Sequence, residues 1–264
     1  MKSTLAPVPS DIIASAHRTL GIEIAALQAL DTRIDDSFTR AVSMMLGCQG
    51  RVVVTGIGKS GHIAKKIAAT LASTGTPAFF MHAAEAIHGD LGMLTVQDIV
   101  LALSYSGTAQ ELLTILSVTK RMGIQLIAIT GNPQSELALN ADLHLDVHVQ
   151  QEACPLNLAP TASTTASMAL GDAIAVACLE ARGFTAEDFA RSHPGGALGR
   201  RLLTLVRDVM RQGGALPIVH TGTAVTDALQ EMSSKGMGMT IVIDKDNRPI
   251  GIFTDGDLRR LIAR

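Results

Sequence analysis

The sequence predicts an α/β protein, a doubly wound parallel sheet followed by a small C-terminal β-α-β-β-α module. Three observations carry that expectation. Short, nearly continuous apolar runs recur at Arg51–Thr55, Ala78–Met81, Ile99–Leu103 and Leu126–Thr130, as parallel strands covered on both faces require. Helical periodicity follows Arg51–Thr55 and Ile99–Leu103, the alternation that builds βα units. After about Leu205 the strands become shorter and the pattern changes, so residues 1–205 and 206–264 are expected to form separate domains.

Composition narrows the class. With 264 residues, 47% of them hydrophobic, the chain can bury a large core. A net charge of −2 without a basic run implies no nucleic-acid partner. Aromatic residues at 3% and no tryptophan leave no stacking platform for single strands. Cys48, Cys154 and Cys178 lack metal-ligand spacing and are too few for a disulfide scaffold, which fits a reducing cytoplasm. The start, MKSTLAPVPSD, is too polar for a signal peptide, and no apolar run is read as long enough to span a membrane. The expectation is a soluble cytoplasmic protein with no membrane partner.

In chain order, Ser10 is expected to cap a helix reaching about Leu30, and a second helix covers Asp36–Leu46; serine is a favoured cap. Such a leading pair commonly packs on another subunit. Strand Arg51–Thr55 runs into Gly56-Ile57-Gly58-Lys59-Ser60-Gly61 and a helix from about His62 to Ala72. Gly56, Gly58 and Gly61 match a dinucleotide fingerprint, but no acidic residue ends the next strand, where Phe79-Phe80-Met81-His82 stands. A Walker A loop fails at Val53, where glycine is needed. The glycines therefore read as a tight turn that leans Lys59 into a cleft. The plain alternative for Lys59 is a solvated loop lysine.

Gly75 and Pro77 stop that helix. After strand Ala78–Met81 comes HAAEAIHGDLG, with His82, Glu85, His88 and Asp90 close together. This cluster has no defined zinc spacing and reads as a hydrogen-bonded loop in preference to a metal site. Strand Ile99–Leu103 breaks at Ser104, Ser106 and Gly107 into a helix Thr108–Arg121. Small hydroxyls and free amides at the carboxyl end of a parallel strand suit an anion, most often a phosphate. Thr108-x-x-Glu111 reads equally as a capping box. Asp142–Gln150 alternates, as an edge strand with one wet face does, which leaves His144, Asp146 and His148 solvated. A long helix, about Ala162–Ala181, is apolar nearly all round and should be buried. Thr185-x-x-Asp188 caps a short helix that ends at His193-Pro194-Gly195-Gly196. In the tail, strands Leu216–Val219, Thr240–Ile243 and Ile250–Thr254 accompany helices Val225–Met232 and Asp257–Ile262.

The stretches GIGKSGHIAKKIAATLASTGTPAFF, HGDLGM, S-x-S-G, EACPLNLAPTASTTA, GDA and ARGFTAEDFARSHPGGALGRRL resemble the sugar isomerase domain of the arabinose-5-phosphate isomerases, which feed Kdo and lipopolysaccharide synthesis. The tail, ending GIFTDGDLRR, resembles one cystathionine-β-synthase repeat where that family carries two. The resemblance implies reversible interconversion of D-ribulose 5-phosphate and D-arabinose 5-phosphate through an enediol, with no required cofactor and a homo-oligomer, a tetramer. It places Lys59, Glu111, Glu152 and His193 at catalytic positions. It places Gly75, Thr76, His82, His88, Ser104, Ser106 and Thr108 against substrate, and lets zinc bind His82 as an inhibitor. Either Glu152 or His193 would be the proton-transferring base, a carboxylate in a closed cleft being raised toward neutrality by desolvation. The resemblance implies further that His193 reaches a neighbour's cleft.

Two departures stand out: Ala109 where the phosphate loop usually has Ser or Thr, and Ala83 where proline is usual. They leave open a paralogue serving sugar-alcohol catabolism. The alternative from another class is a non-catalytic sugar-phosphate-binding regulator. Such proteins carry a helix-turn-helix in front, and residues 1–50 show no basic recognition helix. Nucleotide binding by the tail stays open, since a single repeat lacks the paired cleft unless two chains meet.

Overall fold

The computed structural model describes residues 9–263. Its contacts part into two units, one reaching Leu202 and one beginning at Leu203. The first unit opens with α1 (Pro9–Asp31) and α2 (Asp36–Gly47). Next come β1 (Val52–Gly56), α3 (Gly58–Ser73), β2 (Ala78–His82), α4 (Ala83–Ala86) and a 3₁₀ turn at Asp90–Met93. The chain continues through β3 (Ile99–Leu103), α5 (Gln110–Met122), β4 (Gln125–Thr130), α6 (Glu136–Asn140) and β5 (Leu143–Asp146). It closes with α7 (Ala162–Arg182), α8 (Ala186–Ser192) and α9 (Ala197–Leu203).

All five strands are parallel, in the order β2-β1-β3-β4-β5. Each strand feeds side chains alternately to two faces. Val52, Val54, Leu101, Leu103, Ile127 and Ile129 join one core with residues of α1, α2, α3 and α7. Val53, Val100, Ala102, Leu126 and Ala128 join the other with Leu112 and Ile115 of α5 and Leu137 of α6. Burial on both faces explains why the strands carry almost no polar residue. β5 does lie at the sheet edge, but it ends at Asp146, well short of Gln150. Beyond it the Val149 amide donates to the Tyr105 hydroxyl at 3.2 Å, so the chain leaves the ladder to follow a side chain.

α3 and α7 run in the same direction and close together. Lys66 pairs with Asp172. A Cβ on Gly171 would collide with Ile67, and Gly75, at φ +89°, lies under the Phe184 ring. The absence of side chains at Gly171 and Gly75 is what permits this approach. α7 is long and apolar enough to cross a membrane by length and composition, contrary to the expectation of no such run. Its buried positions, Ala166, Leu170, Ile174, Ala175 and Cys178 among them, belong to the protein core, while Val176 is exposed, so it is not buried all round. The expected cap Ser10 falls inside α1, which starts at Pro9, and its side chain lies outside the described residues, as does the MKSTLAPV start.

In the second unit, after α10 (Val206–Val209), come β6 (Ile218–His220), α11 (Val225–Lys235), β7 (Met239–Ile243), β8 (Pro249–Thr254) and α12 (Asp255–Ile262). β6 and β7 pair parallel, β7 and β8 antiparallel. Thr254 and Asp257 form a reciprocal capping box, so α12 starts two residues before the expected Asp257.

Candidate active site

The strand order 2-1-3-4-5 reverses direction between β1 and β3, and a ligand crevice opens at the carboxyl ends of the strands at such a switch point. Gly56, the last residue of β1, is in register with His82 of β2 and Leu103 of β3. The loops that follow those strands therefore rim one crevice edge and carry Lys59, His82 and Ser104.

On the β1 side, α3 begins at Gly58 rather than near His62, so the glycine turn is the first helical turn. Its N-cap, Ile57, offers no side chain to the free amides. A Cβ on Gly61 would press on the Gly56 carbonyl at 2.9 Å, and Gly58 has φ +57°. Close approach and a left-handed residue thus account for these glycines without a dinucleotide. Lys59 is exposed in this turn and makes no hydrogen bond or ion pair with the described residues.

The β3 side corrects the capping-box reading. α5 starts at Gln110, and its N-cap Ala109 bonds nothing through its side chain. The Thr108 hydroxyl donates to Ser106 Oγ at 3.1 Å, and the Thr108 amide approaches the same oxygen at 3.4 Å. Thr108 therefore belongs to the turn. Glu111 is left half-buried in the first helical turn, its carboxylate bonding to none of the described residues. Buried Ser104 accepts from the Gly107 amide at 3.1 Å through Oγ, and Ser106 is exposed. Gly107, at φ +69°, sits directly on Ser135. Helix-start amides, two serine hydroxyls and a nearby lysine make an anion cradle at the switch point.

On the β2 side, His82 and His88 are both exposed. His82 Nδ1 accepts from the Ala84 amide at 3.2 Å, which leaves Nε2 facing outward. Among the described residues, no three His, Cys, Asp or Glu side chains converge to hold a metal.

Glu152 enters from beyond β5. Tyr105, inside the serine turn, holds Val149 by its hydroxyl, and a cavity of about 220 Å³ opens between Tyr105, Gln150, Glu152, Asn157 and Pro160. Glu152 Oε2 accepts from the Thr161 amide at 2.8 Å, the Thr161 hydroxyl at 3.0 Å and the Ser163 amide at 3.2 Å. The carboxylate thereby caps the start of α7. Burial pushes its acidity toward the neutral form. The dipoles of Ser163 and Thr161 outweigh that and hold Glu152 below the usual glutamate range. The expected rise toward neutrality does not occur. The Ser163 hydroxyl contributes without the geometry of a hydrogen bond, being buried and unpartnered. Two residues on, the backbone amides of Ala159, Leu158 and Leu156 hold the Cys154 thiol below its ordinary range.

His144, Asp146 and His148 are not simply a solvated face. His144 is half-buried, shares a 2.9 Å hydrogen bond with Thr130, and is held below the ordinary histidine range by burial. Asp146 faces Arg33, and His148 Nδ1 lies 3.1 Å from the Gly131 carbonyl.

Gly75, Thr76 and His193 lie elsewhere. Gly75 and Thr76 precede β2, at the amino edge of the sheet, and Thr76 is 1% exposed with its hydroxyl unpartnered. A Thr76 side-chain contact to substrate is therefore not available; only its backbone remains. α7 spans about 30 Å at 1.5 Å per residue and returns the chain to that same edge, where Phe184 meets Gly75. α8 and His193 follow. His193 is the C-cap of α8. The chain's own carboxyl-edge crevice thus gathers Lys59, His82, His88, Ser104, Ser106, Thr108, Glu111 and Glu152, while Gly75 and Thr76 stand at the opposite edge and His193 follows one short helix beyond it. Tyr105, Thr161 and Ser163 are absent from the expected site; only the short spacing of Thr161 and Ser163 before an apolar helix could have pointed to them.

The SIS domain family matches residues 45–177 and the CBS domain family residues 206–264. The arabinose 5-phosphate isomerase KdsD of Pseudomonas aeruginosa is 62% identical over 254 residues, covering 96% of this chain and 78% of that protein. The protein of that name from Escherichia coli K12 is 55% identical over 251 residues, covering 95% and 76%. Among solved structures, the c3406 protein of E. coli CFT073, in complex with arabinose 5-phosphate, superposes with a TM-score of 0.69 at 41% identity, covering 71% of this chain and all of that one.

Proposed function

This chain belongs to the arabinose 5-phosphate isomerase family, with a SIS domain followed by a CBS domain, and on that premise we propose how it interconverts D-ribulose 5-phosphate and D-arabinose 5-phosphate. The observation that carries the reading is the anion cradle at the β1/β3 switch point. Ser104, Ser106, Thr108 and the uncapped amides of α5 take the phosphate, and Lys59 across the crevice adds positive charge. Anchoring the phosphate there lays C1 and C2 toward the remaining groups.

The chemistry moves one proton from C1 of the ketose to C2 of the aldose, and another between O1 and O2 of the intervening enediolate. Glu152, ionised and fixed by three donors, is a weak base. Imidazole is suited to proton transfer near neutral pH, so His193 carries the carbon proton and Glu152 orients and polarises the sugar hydroxyls. Half-buried Glu111, freed from any capping role, exchanges the oxygen proton. Lys59 stabilises the oxyanion. His82 and His88 hold the sugar from the β2 side.

Since Gly75 stands at the opposite edge from Glu152 and, among the described residues, the His193 imidazole bonds and stacks only within its own short helix, the complete site is proposed to form between chains of a homo-oligomer, a tetramer, with one subunit's amino edge closing another's crevice. Catalysis is proposed to need no metal, and zinc at His82 to inhibit. A cytoplasmic role in supplying Kdo for lipopolysaccharide fits this activity. The test is interconversion across a panel of pentose and hexose phosphates. Turnover confined to the pentose 5-phosphate pair is expected; a protein that binds ribulose 5-phosphate and leaves it unchanged is a regulator instead.

A further inference from the structure

We propose that Phe189 and Ser192 are positioning residues that hold His193 with its proton on Nδ1, so that Nε2 is the atom offered to substrate. The proposal deepens, and rests on, the reading of His193 as the carrier of the carbon proton.

Two independent contacts fix the imidazole. The Phe189 ring stacks on it, with centroids 4.1 Å apart and planes 14° from parallel. The Phe189 carbonyl lies 3.1 Å from His193 Nδ1. A carbonyl oxygen only accepts, so Nδ1 donates. Ser192 fits the same assignment: its hydroxyl donates to the Phe189 carbonyl at 2.9 Å, and its oxygen, 3.0 Å from Nδ1, can then accept. The opposite tautomer would set the Nδ1 lone pair against the carbonyl. Which nitrogen carries the proton is decided by the bond the other makes, and here every neighbour of Nδ1 places it there.

The short helix beneath is itself held firmly. Thr185 and Asp188 form a reciprocal capping box at its start. Asp188 pairs with Arg191 at 3.0 Å, and Ala190 is buried. Past the helix, a Cβ on Gly199 would meet the Pro194 carbonyl at 2.8 Å, so the turn after His193 is closely folded. Phe189 is 37% exposed, and removing its ring leaves no core cavity. A plain helix cap needs only the carbonyl contact; the stacked ring and the second acceptor are what orient the imidazole plane.

The test uses the full-length oligomer. Phe189→Leu and Ser192→Ala are each expected to lower kcat about 10-fold, the lower end of the loss usual when an imidazole loses its supporting partner, with KM within about twofold. Phe189→Tyr, which keeps the ring, restores kcat. Long-range ¹H–¹⁵N spectra of histidine-labelled protein, with the His193 signal assigned by its loss in His193→Gln, should show Nδ1–H in the parent and in Phe189→Tyr, and a tautomer mixture in Phe189→Leu, where the unstacked imidazole turns away from the backbone carbonyl that the substitution leaves in place. An Nε2–H signal in the parent, or full kcat in Phe189→Leu, overturns the proposal. Unchanged turnover in His193→Gln overturns instead the reading beneath it, while the parent spectrum still reports the tautomer.

Discussion

Replacing Thr161 with valine removes one hydroxyl that serves two partners. That hydroxyl donates to Glu152 Oε2 at 3.0 Å and accepts from the Ala153 amide at 2.8 Å. Ala153 is 5% exposed, so its amide is left buried without an acceptor, at a cost of about 1–3 kcal/mol. The bond to the carboxylate, discounted because Glu152 is only partly buried, adds about 1 kcal/mol. Thr161→Val should therefore lose about 3 kcal/mol, read as an earlier urea midpoint with an unchanged slope. Ser163→Ala removes a buried hydroxyl that helps hold Glu152 ionised but serves no second partner, and should cost less than Thr161→Val. The pH dependence has a definite sign. Glu152 is more acidic folded than unfolded, so its contribution is full above the ordinary glutamate range, about pH 4.3, and is lost as pH falls through the lower folded value. The gap between the parent and Thr161→Val should accordingly narrow by about 1 kcal/mol in strong acid. An unchanged midpoint, or a gap in strong acid as wide as the gap at neutral pH, would refute the argument that these donors hold the carboxylate.

Two further outcomes are expected. Co-assembling inactive His193→Ala chains with inactive Glu152→Ala chains should rebuild sites that take Glu152 from the first variant and His193 from the second. Turnover should rise with the fraction of mixed interfaces, and verified mixed oligomers that stay dead would place both groups in one chain's site. Added zinc should suppress turnover and a chelator restore it; activity that vanishes with chelator and returns with zinc would make the metal a requirement.

Much of the fold was legible because its strands are covered twice. Val52–Val54, Ile99–Leu103 and Leu126–Ile129 have no wet face, and a short unbroken apolar run between turns is hard to place anywhere but inside a sheet. The serine turn was legible for the complementary reason: Ser104, Ser106 and Gly107 interrupt such a run where a parallel strand must end. What escaped depends on individual side-chain bonds, most of them to partners distant in the chain. Thr108 leaves the helix because Ser106 engages both its amide and its hydroxyl. β5 stops early because Tyr105, more than forty positions earlier, offers Val149 a different bond. The acidity of Glu152 is set by residues nine and eleven places later, and local spacing does not announce that a carboxylate will cap a helix from outside it. The resemblance named Thr76 as a substrate contact, but burial removes its side chain from that role.

Gly171 acquires a meaning beyond packing once the heads of α3 and α7 are considered together. Lys59 rides on the first turn of α3, and the first turn of α7 grips Glu152. The two helices lie side by side, and at their midpoint the missing side chain of Gly171 lets Ile67 sit against the α7 backbone. They behave as two prongs of a caliper whose opening is set at mid-length. A methyl group added at that point, deep in the core and remote from any substrate, spreads the prongs, and a displacement of about 1 Å at reacting groups can cost on the order of 100-fold in rate. The gauge of the crevice is thus kept by a residue that never meets the sugar.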